Sequence, residues 1–99
     1  MKKLFISQPM KDKTDEEIKA TREKALELAK ERLGEDVELI DSFFEDAPHD
    51  EKPLWFLGES FKLLSTADIA FFAKDWDKYR GCKMEQRACA EYAIESIYE

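Results

Sequence analysis

Residues 67–92 read ADIAFFAKDWDKYRGCKMEQRACAEY, and this stretch decides the fold class. It predicts a strand over Asp68–Ala73, a polar and aromatic loop over Lys74–Gly81, and a helix from Cys82 to about Ala93. Because the strand is apolar almost throughout, it is typical of a central parallel strand covered by helices on both faces. In open α/β sheets, ligands lie where the carboxyl ends of strands meet helix N-termini, so the same stretch predicts a binding site.

The rest of the chain alternates strands and helices in the same way. Thr14 and Glu17 form a capping box that marks the start of a long helix, and Gly34 marks its end. The other predicted elements are strands at Lys3–Ser7, Val37–Ile40 and Ile94–Tyr98 and a helix at Pro53–Leu64. With right-handed crossovers, this βαβαβαβ order gives a small parallel sheet of about four strands with helices on both faces, a flavodoxin-like or Rossmann-like fold.

Composition narrows the class of protein. A chain of 99 residues with 43% hydrophobic content suits a single domain, residues 1–99, with one modest core. Its 23 acids and 16 bases leave a net charge of -7, which argues against a nucleic-acid polymer as partner because such binding depends on a basic surface. No apolar run is long enough to span a bilayer and the N-terminus lacks a signal-peptide core, so we expect a cytoplasmic protein without a membrane partner.

The cysteine and histidine residues predict neither a metal site nor a disulfide. His49 is the one histidine and has no cysteine pair nearby, so the sequence lacks the ligand spacing of a zinc site. Cys82 and Cys89 are seven residues apart on a predicted helix, which separates them by about two turns, too far to bridge. We therefore expect reduced, half-buried thiols and no metal.

Glu85 is the most informative acid in the sequence. At three- and four-residue steps along the predicted helix, it shares one face with Cys82, Ala88, Cys89 and Tyr92. A helix packed on a sheet gains no stability from a carboxylate in that apolar stripe, and burial would raise the pKa of Glu85 into a range useful for acid and nucleophile roles. The alternative is an acid in the first helical turn that favours the helix dipole while its side chain reaches water.

The loop before this helix supplies further candidates. Asp75 and Asp77 are available for acid chemistry, Trp76 for stacking on a base or sugar, and Arg80 for pairing with a phosphate or with one of the acids. Loop aromatics often pack over a helix end instead. Asp68 opens the predicted strand at its N-terminal end, far from the expected site, so either the strand begins later or Asp68 caps and orients the chain.

The loop after the first strand, Ser7 to Lys13, is another candidate region. Ser7, Lys11 and Lys13 precede a helix N-terminus, where free N–H groups, the helix dipole and lysine charge together favour an anion. The loop lacks the glycines of a P-loop or dinucleotide fingerprint, so ATP or NAD binding by those routes is not expected, and solvated lysines are the alternative. The full set of candidate substrate-binding residues is Ser7, Gln8, Met10, Lys11, Lys13, Trp76, Asp77, Arg80 and Gly81.

The second predicted helix carries more apolar surface than one core-facing stripe needs. That stripe consists of Leu54, Leu57, Phe61 and Leu64. Trp55 and Phe56 lie off it. A helix that is apolar over more than one face is either buried on both sides or meets a partner chain, so the sequence predicts a homo-oligomer contact here.

Four segments follow one another in a recognisable order: KLFISQPM at 3–10, the capped helix, ADIAFFAKDW at 67–76, and RGCKMEQRACAEYAI at 80–94. Over nearly its whole length the chain resembles the nucleoside 2-deoxyribosyltransferase-like superfamily, and in particular a small branch of bacterial and phage proteins of about this size. The resemblance concerns the order of motifs along the chain, and it carries expectations about individual residues.

The resemblance implies a role for each of the main acids. Glu85 matches the family's nucleophile, which attacks the anomeric carbon of the sugar and forms a glycosyl-enzyme intermediate. Asp68 matches the aspartate of the family's apolar strand, and Asp75 or Asp77 matches the loop acid that binds the sugar and protonates the leaving base. The first loop, Ser7 to Lys13, is then expected to contact the sugar or its 5′-phosphate.

The implied reaction is N-glycosidic bond cleavage or 2-deoxyribosyl transfer on a nucleoside or nucleotide, which requires no metal or cofactor. A non-catalytic nucleotide-binding or regulatory module with the same fold is the alternative, and a small oligomeric interaction protein is the third class. Relatives usually carry G-P-M-x-G-K in the first loop, whereas this chain has Gln8 and Asp12 there. Gln8 narrows the space for a ligand and Asp12 repels phosphate, which favours the alternative.

Overall fold

The computed structural model describes residues 1–9, 13–40 and 52–99, which form four strands, three α-helices and one 3-10 helix. The strands are β1 (Lys2–Ser7), β2 (Val37–Leu39), β3 (Ile69–Phe72) and β4 (Glu95–Tyr98). The helices are α1 (Asp15–Leu33), α2 (Pro53–Leu64) and α3 (Arg80–Glu91), and the 3-10 helix is Trp76–Lys78. All strand pairs are parallel, in the order β2-β1-β3-β4, so the predicted small α/β fold is confirmed. None of the described helices has the length and apolar character needed to cross a membrane.

Local signals set the bounds of α1 as the sequence predicts. The hydroxyl oxygen of Thr14 accepts the backbone N–H of Glu17 at 3.1 Å, which satisfies a donor that the helix itself leaves free. At the other end, Gly34 adopts a left-handed φ of 70° and its N–H donates to the carbonyl of Lys30. Glycine adopts this conformation without the steric cost of a Cβ, so it ends the helix readily.

Helices cover the sheet on both faces, each with its own core. On one face, Leu4, Ile6 and Phe71 of the sheet pack against Ala25 and Ala29 of α1. The other face lies against α2 and α3, and its buried residues are Phe5, Leu64, Ala70, Phe72 and Cys89. The full burial of β3 on both faces explains why its sequence is apolar without alternation.

The predicted bounds differ from the structure mainly between β3 and α3. Asp75 has a left-handed φ of 68°, which turns the chain shortly after β3. The 3-10 helix follows directly, with the N–H of Lys78 donating to the Asp75 carbonyl at 3.0 Å. The turn and the 3-10 helix occupy most of the residues that were predicted as a loop. As a result α3 begins at Arg80, and Gly81 lies in its first turn rather than at the end of a loop.

Some apolar residues of the predicted stripes face solvent. Leu54 in the first turn of α2 is 74% exposed, and Tyr92 is 80% exposed because α3 ends just before it. Trp55 and Phe56 are half-buried, and their rings contact each other edge to face with centroids 5.0 Å apart. A homo-oligomer contact on α2 stays a prediction.

Candidate active site at the carboxyl edge of the sheet

The order of the strands creates a crevice between β1 and β3. The chain leaves β1 toward β2 on one side, and later leaves β3 toward β4 on the other. Ligands of open α/β sheets bind at such a switch point, outside the carboxyl ends of the two strands. Ser7 ends β1 beside Phe72, and its carbonyl accepts the N–H of Ala73 at 2.9 Å. The first and third predicted loops therefore start at the same edge.

Glu85 lies buried at this edge, in the second turn of α3. Its side chain is only 7% exposed, and its Oε1 accepts a hydrogen bond from the Ser7 hydroxyl at 2.8 Å. The alternative in which Glu85 reaches water from the first turn is therefore wrong. Cys82, one turn earlier on the same face of α3, is buried and lies close to Ser7. The three side chains form one polar cluster between β1 and α3.

Burial raises the pKa of every titratable group in this cluster. For Glu85, loss of solvation outweighs the Ser7 hydrogen bond and raises the pKa from 4.5 to about 7. Burial likewise raises the pKa of the Cys82 thiol, where the nearby Ser7 hydroxyl opposes the rise and the Glu85 charge adds to it. At neutral pH the thiol stays protonated, while the Glu85 carboxyl is present in both of its forms.

Asp68 lies at the opposite edge of the sheet. Its carboxylate accepts the backbone N–H of Lys3 at 2.8 Å, and its own N–H donates to the Lys3 carbonyl at 2.9 Å. At about 3.3 Å per residue, Asp68 is roughly 16 Å along the chain direction of β3 from Ala73, the residue that follows this strand on the Glu85 side. The structure therefore separates Asp68 from Glu85 and gives Asp68 the capping position that the sequence left open as an alternative.

The loop acids and Trp76 sit beside the cluster rather than in it. Asp75 pairs with Lys78 at 3.2 Å on the surface, and Asp77 is exposed on the 3-10 helix. Trp76 is half-buried, and its ring packs against Phe72 at 5.6 Å and Tyr98 at 5.7 Å between centroids. These contacts show that the Trp76 ring packs over the edge of the sheet.

The remaining candidates on α3 stand at the start of the helix. Arg80 is exposed as the first helical residue, and Gly81 follows it half-buried. A Cβ on Gly81 would meet no atom within 4 Å, so no steric reason requires glycine there. Among the described residues, no group of three His, Cys, Asp or Glu side chains is close enough together to hold a metal ion.

A groove of about 160 Å³ lies at the same edge, on the α1 face. It is lined by Gln8, Pro9, Lys13, Glu17, Ile18, Thr21, Ala73, Lys74 and Glu99. Ligand pockets commonly measure about 300–1,000 Å³, so this groove has room for only part of a nucleotide. The groove contains Gln8 and Lys13 but not Glu85, which lies across the sheet. Met10 and Lys11 lie outside the described residues.

One side of the groove is formed by Glu99. Its carboxylate accepts the backbone N–H of Lys74 at 2.8 Å and pairs with Lys24 at 3.2 Å. The hydrogen bond from the Lys74 N–H, and to a lesser extent Lys24, lowers the pKa of Glu99, so this carboxylate is ionised near neutral pH. Sequence reasoning missed both Lys74 and Glu99, because the parallel pairing of β3 with β4 is what brings them together.

Sequence reasoning also missed the contact between Ser7 and Glu85, which are 78 residues apart. A weak signal existed: a serine ends one predicted strand, and a glutamate occupies the buried face of a helix expected to pack beside it. Comparison of the chain with protein-family models, with curated proteins and with solved structures finds no match to any of them. The fold and site thus define a small parallel α/β domain with a buried carboxyl at its switch point.

Proposed function

We propose that this protein cleaves, or transfers the sugar across, the N-glycosidic bond of a nucleoside or nucleotide, with Glu85 as the nucleophile. The observation that supports this proposal most is the buried Glu85 carboxyl at the β1/β3 switch point, held by the Ser7 hydroxyl at 2.8 Å. An apolar stripe on α3 would be more stable without this charge, so its presence calls for a chemical reason. The resemblance of the chain's motifs to a nucleoside-cleaving superfamily points to the same residue.

The proposed reaction has two steps, formation of a glycosyl ester on Glu85 and its breakdown. A carboxylate oxygen of Glu85 bonds to the anomeric carbon as the carbon–nitrogen bond breaks, and the bonding pair leaves with the base, which takes a proton from an acid or from water. Water then attacks the glycosyl ester, releasing the free sugar and the carboxyl group. If a second base attacks instead, the product is a new nucleoside. Neither step needs a metal or a cofactor.

The environment of Glu85 suits this chemistry near neutral pH. Attack requires the ionised carboxylate, and a pKa of about 7 keeps a large fraction in that form. Because the group is mostly shielded from water, its charge interacts more strongly with an oxocarbenium-like transition state than a solvated carboxylate would. Loss of this residue should therefore remove the reaction rather than weaken substrate binding.

A non-catalytic nucleotide-binding module is the second candidate, and one observation favours it. The groove that contains Gln8 and Lys13 lies on the α1 face, whereas Glu85 lies on the α3 face. A nucleotide fragment bound in that groove need not touch Glu85. Asp68, the strand acid that the family resemblance would add to the site, lies at the far edge of the sheet.

The decisive experiment measures free base released from a panel of 2′-deoxynucleosides and their 5′-monophosphates by liquid chromatography. The wild-type chain and a Glu91→Gln control should release base, since Glu91 is an exposed residue of the same helix that pairs with Arg87. Glu85→Gln should release none above background. If the wild-type chain releases no base from any substrate, the enzyme proposal is overturned, and a melting shift with nucleotides would then favour the binding module.

A further inference from the structure

Ser7, Cys82 and Glu85 are buried side chains inside the domain. Ser7 is 2% exposed, Cys82 6% and Glu85 7%, so water does not compete strongly for the polar atoms. The Ser7 hydroxyl donates to Glu85 at 2.8 Å, and Cys82 lies one turn earlier on the same face of α3. In the described residues no buried side-chain nitrogen or oxygen lacks a hydrogen-bond partner.

The chemistry of Ser7 and Glu85 gives their hydrogen bond a direction. When Glu85 is ionised it only accepts hydrogen bonds, so the single hydroxyl hydrogen of Ser7 is donated to Oε1. Burial keeps the neighbouring Cys82 thiol protonated, so the thiol places no second negative charge beside the carboxylate. The hydroxyl thus orients the carboxylate.

The surroundings leave Ser7 as the main support of the ionised form. Burial and the Glu85 charge both raise the pKa of two thiols of α3, Cys82 and Cys89, and the Ser7 hydroxyl donates to Glu85 from the end of β1. No lysine, arginine or histidine among the described residues forms an ion pair with Glu85 within 4.0 Å. Hydrogen bonds to an ionised group contribute more than those between neutral groups, so losing this one has a measurable effect.

We propose that Ser7 is a positioning residue for the Glu85 nucleophile, which it holds by Oε1 so that Oε2 is the attacking oxygen. This inference rests on the proposed function. It differs from the expectation that Ser7 contacts the substrate, because the one hydrogen of its hydroxyl is donated to Glu85. A positioning residue acts on the rate of the chemical step and on the ionisation of the nucleophile, and a substrate-binding residue acts on KM.

The first test compares Ser7→Ala with Ser7→Thr, which keeps the hydroxyl. On the deoxynucleoside that the wild-type chain cleaves fastest, Ser7→Ala should lower kcat at pH 7 by about 10–100-fold with little change in KM. The acid limb of its pH–rate profile should move to higher pH, because the hydrogen bond favours the ionised form. Ser7→Thr should restore most of kcat. A rise in KM with unchanged kcat would overturn the proposal.

Ser96 provides a matched control, and Ser7→Cys a second variant if Ser7→Ala does not fold. The Ser96 hydroxyl donates to the Ile94 carbonyl at 3.2 Å rather than to Glu85. Ser96→Ala should therefore leave kcat and the pH–rate profile within about twofold of wild type. Ser7→Cys replaces the hydroxyl by a weaker donor and should lower kcat by about threefold without raising KM. A Ser7→Cys variant with wild-type kcat and pH profile would contradict the positioning role.

A measurement without substrate separates this inference from the proposed function. Carbon-13 NMR of labelled glutamate side chains follows the titration of Glu85 in wild-type and Ser7→Ala protein. The titration midpoint should rise in Ser7→Ala and return toward wild type in Ser7→Thr. An unchanged midpoint together with normal base release would overturn the positioning role alone. Absence of base release from the wild-type chain would overturn the proposed function, and the catalytic role of Ser7 with it.

Discussion

Two carboxylates that were both predicted as catalytic from the sequence lie at opposite edges of the sheet. Glu85 is buried at the carboxyl edge and is held by a side-chain hydroxyl, whereas Asp68 is exposed at the amino edge and accepts a backbone N–H. The first environment raises the pKa of its acid to about 7. The second satisfies a main-chain donor at the start of a strand. The same chemical group thus lies in an environment that perturbs its ionisation in one place and satisfies the backbone in the other.

The difference shows which kind of acid deserves a functional interpretation. An exposed carboxylate that caps a strand keeps its solvation and supplies a hydrogen bond that the backbone needs. A buried carboxylate loses solvation, and its one hydrogen bond to a neutral hydroxyl offsets that loss only in part. Burial with incomplete compensation therefore distinguishes Glu85 from Asp68 better than motif position does.

The largest expected effect concerns the release of base. Glu85→Gln should lower the rate on the order of 1,000-fold or more, because the amide cannot form the glycosyl ester. Asp68→Asn should change it less than about twofold, since the amide oxygen can still accept the Lys3 N–H. Chromatographic assay of both variants beside wild type measures this. Equal losses of base-release rate in Glu85→Gln and Asp68→Asn would contradict the proposal that only the carboxyl edge of the sheet carries the reaction.

The next effect is the pH dependence of stability. Because the pKa of Glu85 is about 7 in the folded chain and 4.5 ordinarily, the folded state binds its proton more tightly. Its contribution to the free energy of unfolding is full below about pH 4.5 and falls as the pH rises to about 7, by about 3 kcal/mol in total. Urea unfolding at several pH values between 4.5 and 8 measures the loss.

Glu85→Gln serves as the reference for that measurement, because its side chain does not titrate. The difference in unfolding free energy between Glu85→Gln and wild type should increase with pH across the same window and stay constant above it. Asp68→Asn should not reproduce this pattern. Parallel stability curves for wild type and Glu85→Gln would show that Glu85 ionises in the folded chain as it does in the unfolded one.

Trp76 tests whether every aromatic at the carboxyl edge belongs to the site. Because its ring packs on Phe72 and Tyr98, Trp76→Ala should cost about 2 kcal/mol of stability, less than truncation of a fully buried ring. Trp76→Phe should retain most of that stability, with KM for the nucleoside near wild type. A large rise in KM for the stable Trp76→Phe variant would instead support stacking on the substrate.

The smallest effect is expected at the amino edge. Asp68→Ala removes the acceptor for the Lys3 N–H, and because this hydrogen bond is exposed we expect a cost of about 0.5–1 kcal/mol. Base release should not change. Chemical unfolding measures the stability, with Asp68→Asn as the conservative control. A loss of activity at unchanged stability would assign Asp68 a long-range role in the reaction.

Features with a local cause could be predicted from the sequence. The Thr14 cap, the Gly34 stop and the apolar runs of the strands depend on neighbours a few residues away, and the structure confirms each of them. The start of α3 was predicted two residues late, because the turn after β3 depends on the left-handed conformation of Asp75, which its residue type permits without requiring. Neither the 3-10 helix nor the first turn of α3 has a side-chain cap to signal it.

By itself, the sequence determined an alternation of strands and helices and a carboxylate on the buried face of the last helix, because three- and four-residue steps along a helix are enough to place Glu85. Only the tertiary structure decided what that carboxylate meets. The order β2-β1-β3-β4 brings Ser7 to Glu85 across 78 residues and leaves Asp68 at the other edge. Strand order and contacts between distant residues depend on packing of the whole chain, and no local pattern encodes them.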